Sequence, residues 1–218
     1  MSLRINDVAP NFTAMTTQGE LDFHAWMGNS WTVFFSHPKD FTPVCTTELG
    51  AAAALTAEFS VRGTKVIGLS VDASENHALW ALDIEEIGGH HVGFPIVGDT
   101  DLRIAKLYDM LQAEAGGSST DRTAAMNAPV RTVFIIGPDQ RIKLMMAYPM
   151  TTGRNFNEIL RVLDSLQLTA IHKVATPANW QPGDKVIISG GVSNEEAEVA
   201  FPGFEAVKPY LRFTAQPR

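Results

Sequence analysis

The chain has 218 residues, of which 45% are apolar and 19% charged, with a formal net charge of −7. That is the balance of an ordinary globular protein long enough to bury a hydrophobic core. The acidic balance, with no long basic block, gives no support for nucleic-acid binding, and no stretch approaches the ~18 uninterrupted apolar residues of a membrane span.

Residues 31–35, Trp-Thr-Val-Phe-Phe, are β-branched and aromatic and predict a mostly buried strand. A loop over 36–44 leads into an alanine-rich helix from Cys45 to about Val61. Thr42 suits its N-cap and Pro43 its first position, where the missing N–H costs nothing. Residues 65–71 form a second apolar run. Ser74 suits the cap of a helix to about Ile87, with Gly88-Gly89 as its stop. A short strand is expected over 94–97 and a helix over about 102–110. The Gly- and Ser-rich stretch 113–127 reads as a surface loop. Residues 130–136, a Gly-Pro-Asp-Gln turn and residues 141–147 make a β-hairpin. Asn155 with Glu158 is a capping-box pattern before an amphipathic helix ending near Leu166.

Strands alternating with helices, then a hairpin and a helix, indicate an α/β layer structure. A strand, a cysteine-bearing loop and a helix with the cysteine at its start describe a thioredoxin-like fold. From about Ala170 the character changes, with Pro177, Pro182, Gly183, Gly190, Gly191, Pro202, Gly203 and Pro209 punctuating the chain. Residues 1–169 are therefore read as the main domain and 170–218 as a small, loop-rich C-terminal domain that must pack on the main domain or on a second subunit.

The chain contains one cysteine, Cys45, so no disulfide closes within it. Read alone, Cys45 is an inert buried thiol, a lone metal ligand or a reactive thiolate. Its predicted place, three residues after the cap, favours the last. In a first helical turn the free N–H groups and the positive end of the helix dipole stabilise the ionised sulfur. The lone thiol also suits a reducing compartment, and residues 1–7 lack the character of a secretion signal or transit peptide, so a cytoplasmic location is expected.

The pattern Pro38-x-x-x-Thr42-x-x-Cys45 resembles the active-site motif of the peroxiredoxins, thiol peroxidases on a thioredoxin fold. The likeness continues through Thr46-Thr47-Glu48, Tyr148-Pro149, Thr151-Thr152-Gly153-Arg154-Asn155 and Val174-Ala175-Thr176-Pro177-Ala178-Asn179-Trp180, as in the one-cysteine branch with a C-terminal extension. It implies Cys45 as the nucleophile toward hydrogen peroxide and organic hydroperoxides, Thr42 and the Cys45 N–H as peroxide-positioning groups, and Pro38 as a shield against water. Arg131 matches the family's active-site arginine, while Arg154 and Glu48 look like the supporting ionic network and His37 lies close by. The resemblance further implies no metal, haem or flavin, and a sulfenic acid on Cys45 restored by an external reductant such as glutathione, thioredoxin or ascorbate. A homodimer is implied, with the C-terminal domain reaching toward the partner, and a higher assembly is left open.

Two other functions compete with this one. A redox sensor or chaperone would use the same sulfur chemistry. A phospholipase A2-type acyl hydrolase, credited to some members of the branch, would use Ser30 with His24 and Asp139. Here, however, Gly28-Asn29-Ser30-Trp31-Thr32 ends in threonine where a Gly-x-Ser-x-Gly pattern needs glycine. Ser30 also precedes a strand instead of following one, which is not the layout of a nucleophile elbow. The pair His90-His91 has no clear set of companion metal ligands.

Overall fold

The computed structural model describes residues 3–113 and 128–217, so nearly all of the expected loop at 113–127 lies outside the described residues. In chain order the elements are β1 (Thr13–Thr16), β2 (Gly19–Asp22), α1 (Phe23–Met27), β3 (Trp31–Ser36), α2 (Pro43–Ala54), α3 (Thr56–Val61), β4 (Thr64–Ser70), α4 (Ser74–Gly88) and β5 (Ile96–Gly98). They continue with α5 (Arg103–Leu107), β6 (Arg131–Ile136), β7 (Ile142–Tyr148), α6 (Phe156–Ile171), β8 (Val174–Ala175), β9 (Val186–Ile188), α7 (Asn194–Ala200), β10 (Glu205–Lys208) and β11 (Leu211–Thr214). Two compact units result, residues 1–156 and 157–218.

The first unit is built on a seven-stranded sheet of order β2-β1-β5-β4-β3-β6-β7. Its centre is parallel, β3 with β4 and β4 with β5, while β6 runs antiparallel to β3 and β7 antiparallel to β6. Central strands covered on both faces need continuous apolar runs, and β3 is buried from Thr32 to Ser36. One face carries Phe12, Phe23, Phe34, Tyr108 and Phe134 in a single aromatic cluster. There the Phe34 and Tyr108 rings meet edge to face at 4.9 Å, and the buried Tyr108 hydroxyl donates to the Pro10 carbonyl at 2.6 Å.

Local chemistry explains where observed elements depart from the expected ones. The single helix expected over 45–61 is two, broken at Leu55. Its N–H turns back to the carbonyls of Ala52 and Ala53, and the new direction buries Phe59. Ser74 is not the cap of α4; Ala73 holds that place, and Gly89, at φ +70°, ends the helix in the left-handed conformation. The strand expected from Phe94 starts at Ile96, because Pro95 has no N–H to donate, although its carbonyl accepts from Gly68 at 3.0 Å. The helix expected over 102–110 is shorter, with Leu102 and Asp109 at positive φ on either side of it. The amphipathic helix expected to end near Leu166 continues to Ile171, as buried Leu168 extends its apolar face.

The second unit contains the four-stranded sheet β10-β11-β9-β8 and the helix α7, capped reciprocally by Ser193 and Glu196. Two small apolar clusters lie within it. One gathers Leu168, Val174, Trp180 and Val186, the other Ile188, Val192 and Ala197.

Candidate active site

Sheet topology brings three chain segments to one end of the first unit. Ser36 closes β3, Arg131 opens the antiparallel β6, and Tyr148, paired with Arg131, closes β7. The loop after β3, the start of β6 and the loop after β7 therefore converge, at the carboxyl end of the parallel strands where α/β sheets place their sites.

The loop after β3 delivers the cysteine. Thr42 has extended backbone angles at the cap of α2, and Pro43 follows in the first turn. The Thr46 N–H donates to the Thr42 carbonyl at 3.0 Å as the first helical bond. Cys45 thus lies in the first turn, fully buried. Thr42 holds the expected cap position without the side-chain bond usual there; its hydroxyl donates to the Lys39 carbonyl at 2.9 Å. Pro38 is buried in the same loop. Phe41 sits at φ +53°, a left-handed conformation uncommon for a large side chain, and its ring is 6.3 Å from that of Trp80.

Cys45 and Glu48 are three residues apart on one face of α2, and both turn inward. Arg131 Nη1 lies 3.3 Å from Cys45 Sγ and donates to Glu48 Oε2 at 2.6 Å, while its Nε donates to the Met150 carbonyl at 2.8 Å. Arg154 donates to Glu48 through its backbone N–H at 2.7 Å, its Nε at 2.8 Å and its Nη2 at 2.8 Å. Arg154 Nη1 reaches the carbonyls of Ser36 at 2.8 Å and Thr132 at 3.1 Å. The Arg154 guanidinium also lies 4.9 Å from the Phe35 ring and 5.6 Å from that of Phe156. Burial alone would raise the Glu48 carboxyl, but the hydrogen bonds and charge of Arg154, helped by Arg131, hold it below the usual carboxylate range. Two buried guanidiniums thus face one buried carboxylate. One positive charge is left over, beside the sulfur.

His37 belongs to an adjoining cluster that sequence reasoning missed. Its Nε2 is 2.8 Å from Asp40 Oδ1, and Asp40 Oδ2 is 2.5 Å from Nδ1 of His77 on α4, whose Nε2 faces the Val97 carbonyl at 3.1 Å. The Asp40 N–H donates to Asp72 at 2.8 Å, which ties the loop to the end of β4. Gly98 makes room for this packing: a Cβ there would lie 2.8 Å from the Ser74 nitrogen. Burial pushes His37 below the ordinary imidazole range, against the pull of Asp40. Burial would raise Asp40, but hydrogen bonds from His37 and His77 outweigh it and hold the acid low. The three could supply metal ligands, but their facing atoms are engaged with one another. Within the sequence, His37 and Asp40 shared a loop at a spacing of three; nothing local pointed to His77.

The acyl-hydrolase residues bond to separate parts of the first unit. The Ser30 N–H donates to Met27 at the end of α1, His24 Nε2 is 2.7 Å from the Ala9 carbonyl, and Asp139 accepts from Lys143 at 2.6 Å and from the Arg141 N–H. None of these bonds joins the three residues to one another.

Comparison with known proteins places this geometry in a family. Residues 5–145 match the AhpC/TSA family, and residues 165–201 match the C-terminal domain of 1-Cys peroxiredoxin. The chain is 53% identical to the mitochondrial peroxiredoxin PRX1 of Saccharomyces cerevisiae, over 97% of this chain and 80% of that one. It is 48% identical to peroxiredoxin-6 of Gallus gallus, over 99% and 98% of the two chains. Among solved structures, a cysteine-to-serine variant of peroxiredoxin 6 from Arenicola marina superposes with a TM-score of 0.92 at 48% identity, covering both chains fully. The yeast mitochondrial 1-Cys peroxiredoxin superposes with a TM-score of 0.88 at 53% identity, covering 98% of this chain and 99% of that one. A lone cysteine at a helix start, the thioredoxin-like sheet beneath it and the matched C-terminal domain agree, and the chain belongs to the peroxiredoxin family, in its one-cysteine branch of thiol peroxidases.

Proposed function

We propose that Cys45 is the nucleophile that reduces hydrogen peroxide and small organic hydroperoxides, with Arg131, Thr42 and Pro38 completing the catalytic site. The observation that carries this reading is the uncompensated positive charge at the sulfur, left by Arg131 and Arg154 against Glu48. That charge faces both the sulfur and the oxygens of an incoming peroxide, one of which the Cys45 thiolate attacks along the O–O axis. An S–O bond forms, the O–O bond breaks, and its electron pair departs on the other oxygen as hydroxide or alkoxide, which takes up a proton. Arg131 stabilises the charge growing on that oxygen. Because the Thr42 hydroxyl hydrogen is committed to Lys39, its oxygen is left to accept from the peroxide O–H. Pro38 limits access of water, Glu48 and Arg154 hold Arg131 in place, and His37 braces the loop through Asp40.

Cys45 is left as a sulfenic acid. No second cysteine in the chain can resolve it, and the yeast relative has a thiol-resolving mechanism that uses glutathione and thioredoxin systems. An external thiol is accordingly assigned here. It condenses with the sulfenic acid to a mixed disulfide, releasing water, and a second thiol then frees Cys45. A cytoplasmic location is assigned on the lone thiol, which suits a reducing compartment. A homodimer is assigned on the outer edge of β7, which ends the described sheet and carries Leu144, Met145 and Met146 half-buried, with the domain over 170–218 extending to the partner.

Single-turnover mixing with hydrogen peroxide tests the site. The reaction is expected to vanish in Cys45→Ser and to slow by about 10²–10³ in Arg131→Met. Reaction of Cys45 no faster than a free thiol would defeat the assignment.

A further inference from the structure

Ser36 lies where the β3–β6 ladder stops. The last paired residues are Phe35 and Val133, and continuation of that register would set Ser36 opposite Thr132. In place of a backbone pair, the buried Ser36 hydroxyl bridges the opposite chain. It donates to the Val130 carbonyl at 2.6 Å and accepts from the Thr132 N–H at 3.1 Å. Those two groups flank Arg131 on either side. The Ser36 carbonyl meanwhile accepts from Arg154 Nη1, the same nitrogen that reaches the Thr132 carbonyl. On its other side β3 stays in parallel register with β4, Ser36 beside Leu69, and the His37 N–H donates to the Leu69 carbonyl at 2.9 Å. The hydroxyl therefore ties the first residue of β6 to a rigid central strand.

We infer that Ser36 is a positioning residue for peroxide reduction: its hydroxyl sets the backbone at Arg131 so that the guanidinium reaches Cys45. The inference rests on the proposed role of Arg131. A buried hydroxyl that both donates and accepts is hard to replace, because its loss leaves the Val130 carbonyl and the Thr132 N–H only the bond they make to each other across Arg131, at 3.1 Å. The strand end would then relax, and small displacements of a charge-stabilising group are costly: about 1 Å can lower a rate by about a hundredfold. Serine fits because it is small enough to lie within the sheet and holds its oxygen one bond from Cβ, close to the opposite backbone.

The test measures the second-order rate of Cys45 with hydrogen peroxide in Ser36→Ala, Arg131→Met and the double variant, with melting temperatures recorded in parallel. The expected result is a loss of about ten- to a hundredfold in Ser36→Ala, and no further loss when it is added to Arg131→Met. Positioning through Arg131 has nothing left to act on once the guanidinium is gone, whereas general loosening would slow both backgrounds alike. A Ser36→Ala rate within twofold of the parent, or equal losses in the two backgrounds, would overturn the inference while leaving Arg131 in its role. An Arg131→Met rate equal to the parent would remove that role, and the inference with it. If Ser36→Ala does not fold, Ser36→Thr and Ser36→Val decide. They match in shape and differ in the hydroxyl, so retention in Thr and loss in Val supports the inference, and equal rates defeat it.

Discussion

Glu48 and Arg154 are locked together by three hydrogen bonds, two from the guanidinium and one from the Arg154 backbone N–H, in a site where Glu48 is 3% and Arg154 8% exposed. The backbone bond fixes the loop after β7 as well as the side chain. Helix α2, which carries the sulfur, is thereby tied to the segment that follows the hairpin.

Removing one partner from this arrangement leaves a buried charge uncompensated. Glu48→Gln is expected to lower unfolding stability at neutral pH by about 3–5 kcal/mol. The Glu48 pKa is held below its ordinary value of 4.5, so its contribution is fully present above that pH and is lost as pH falls through the folded-state value. Urea denaturation of parent and variant should accordingly show a gap that narrows below about pH 4.5.

Thr42 can be tested by separating its two contacts. Thr42→Ser keeps the hydroxyl and its bond to Lys39, and is expected to retain the peroxide rate within about threefold; Thr42→Val keeps the shape and is expected to lose about 10²-fold. Stopped-flow rates with hydrogen peroxide check this, and similar rates in the two variants would return Thr42 to a role in helix placement alone.

His37 gives the fold a pH dependence in a different range. Burial depresses it below its ordinary value of 6.5, so as pH falls below 6.5 the unfolded chain takes up a proton that the folded protein resists. Stability is whole above that pH and declines beneath it. Between pH 7.5 and 5.5 the urea midpoint of the parent should fall further than that of His37→Gln, which can still donate to Asp40.

Phe34 tests the separation of core from chemistry. It is fully buried in the aromatic cluster on the face of β3 opposite to Phe35, whose ring meets Arg154. Phe34→Ala is expected to cost about 3–5 kcal/mol of stability by leaving a cavity. The single-turnover peroxide rate of its folded fraction should stay within about threefold of the parent, since no reacting group touches the ring.

Much of this fold was legible because it follows from local rules. Aromatic and β-branched runs marked β3 and β4, and the Gly137–Gln140 turn marked the hairpin. The strands β1 and β2 were not legible, being short and largely exposed, with little apolar alternation. Nor was the sheet of the second unit, where strands of two to four residues lie between prolines and glycines. Within the site, the resemblance named Arg131, Arg154 and Glu48. Asp40 and His77 carried no comparable signal, because their pairing joins a loop to a helix 37 positions away.

What the sequence determined by itself is the sulfur and its local setting. A cap residue and a proline start the helix two residues before Cys45, and the count of one cysteine sends resolution to another molecule. Both are properties of adjacent residues or of composition. Only the tertiary structure decided the charge around that sulfur. Arg131 lies 86 positions from Cys45 in the chain, and it arrives there because antiparallel β6 begins where parallel β3 ends. That register belongs to the sheet as a whole, set by which faces are buried together, and no short stretch of sequence contains it.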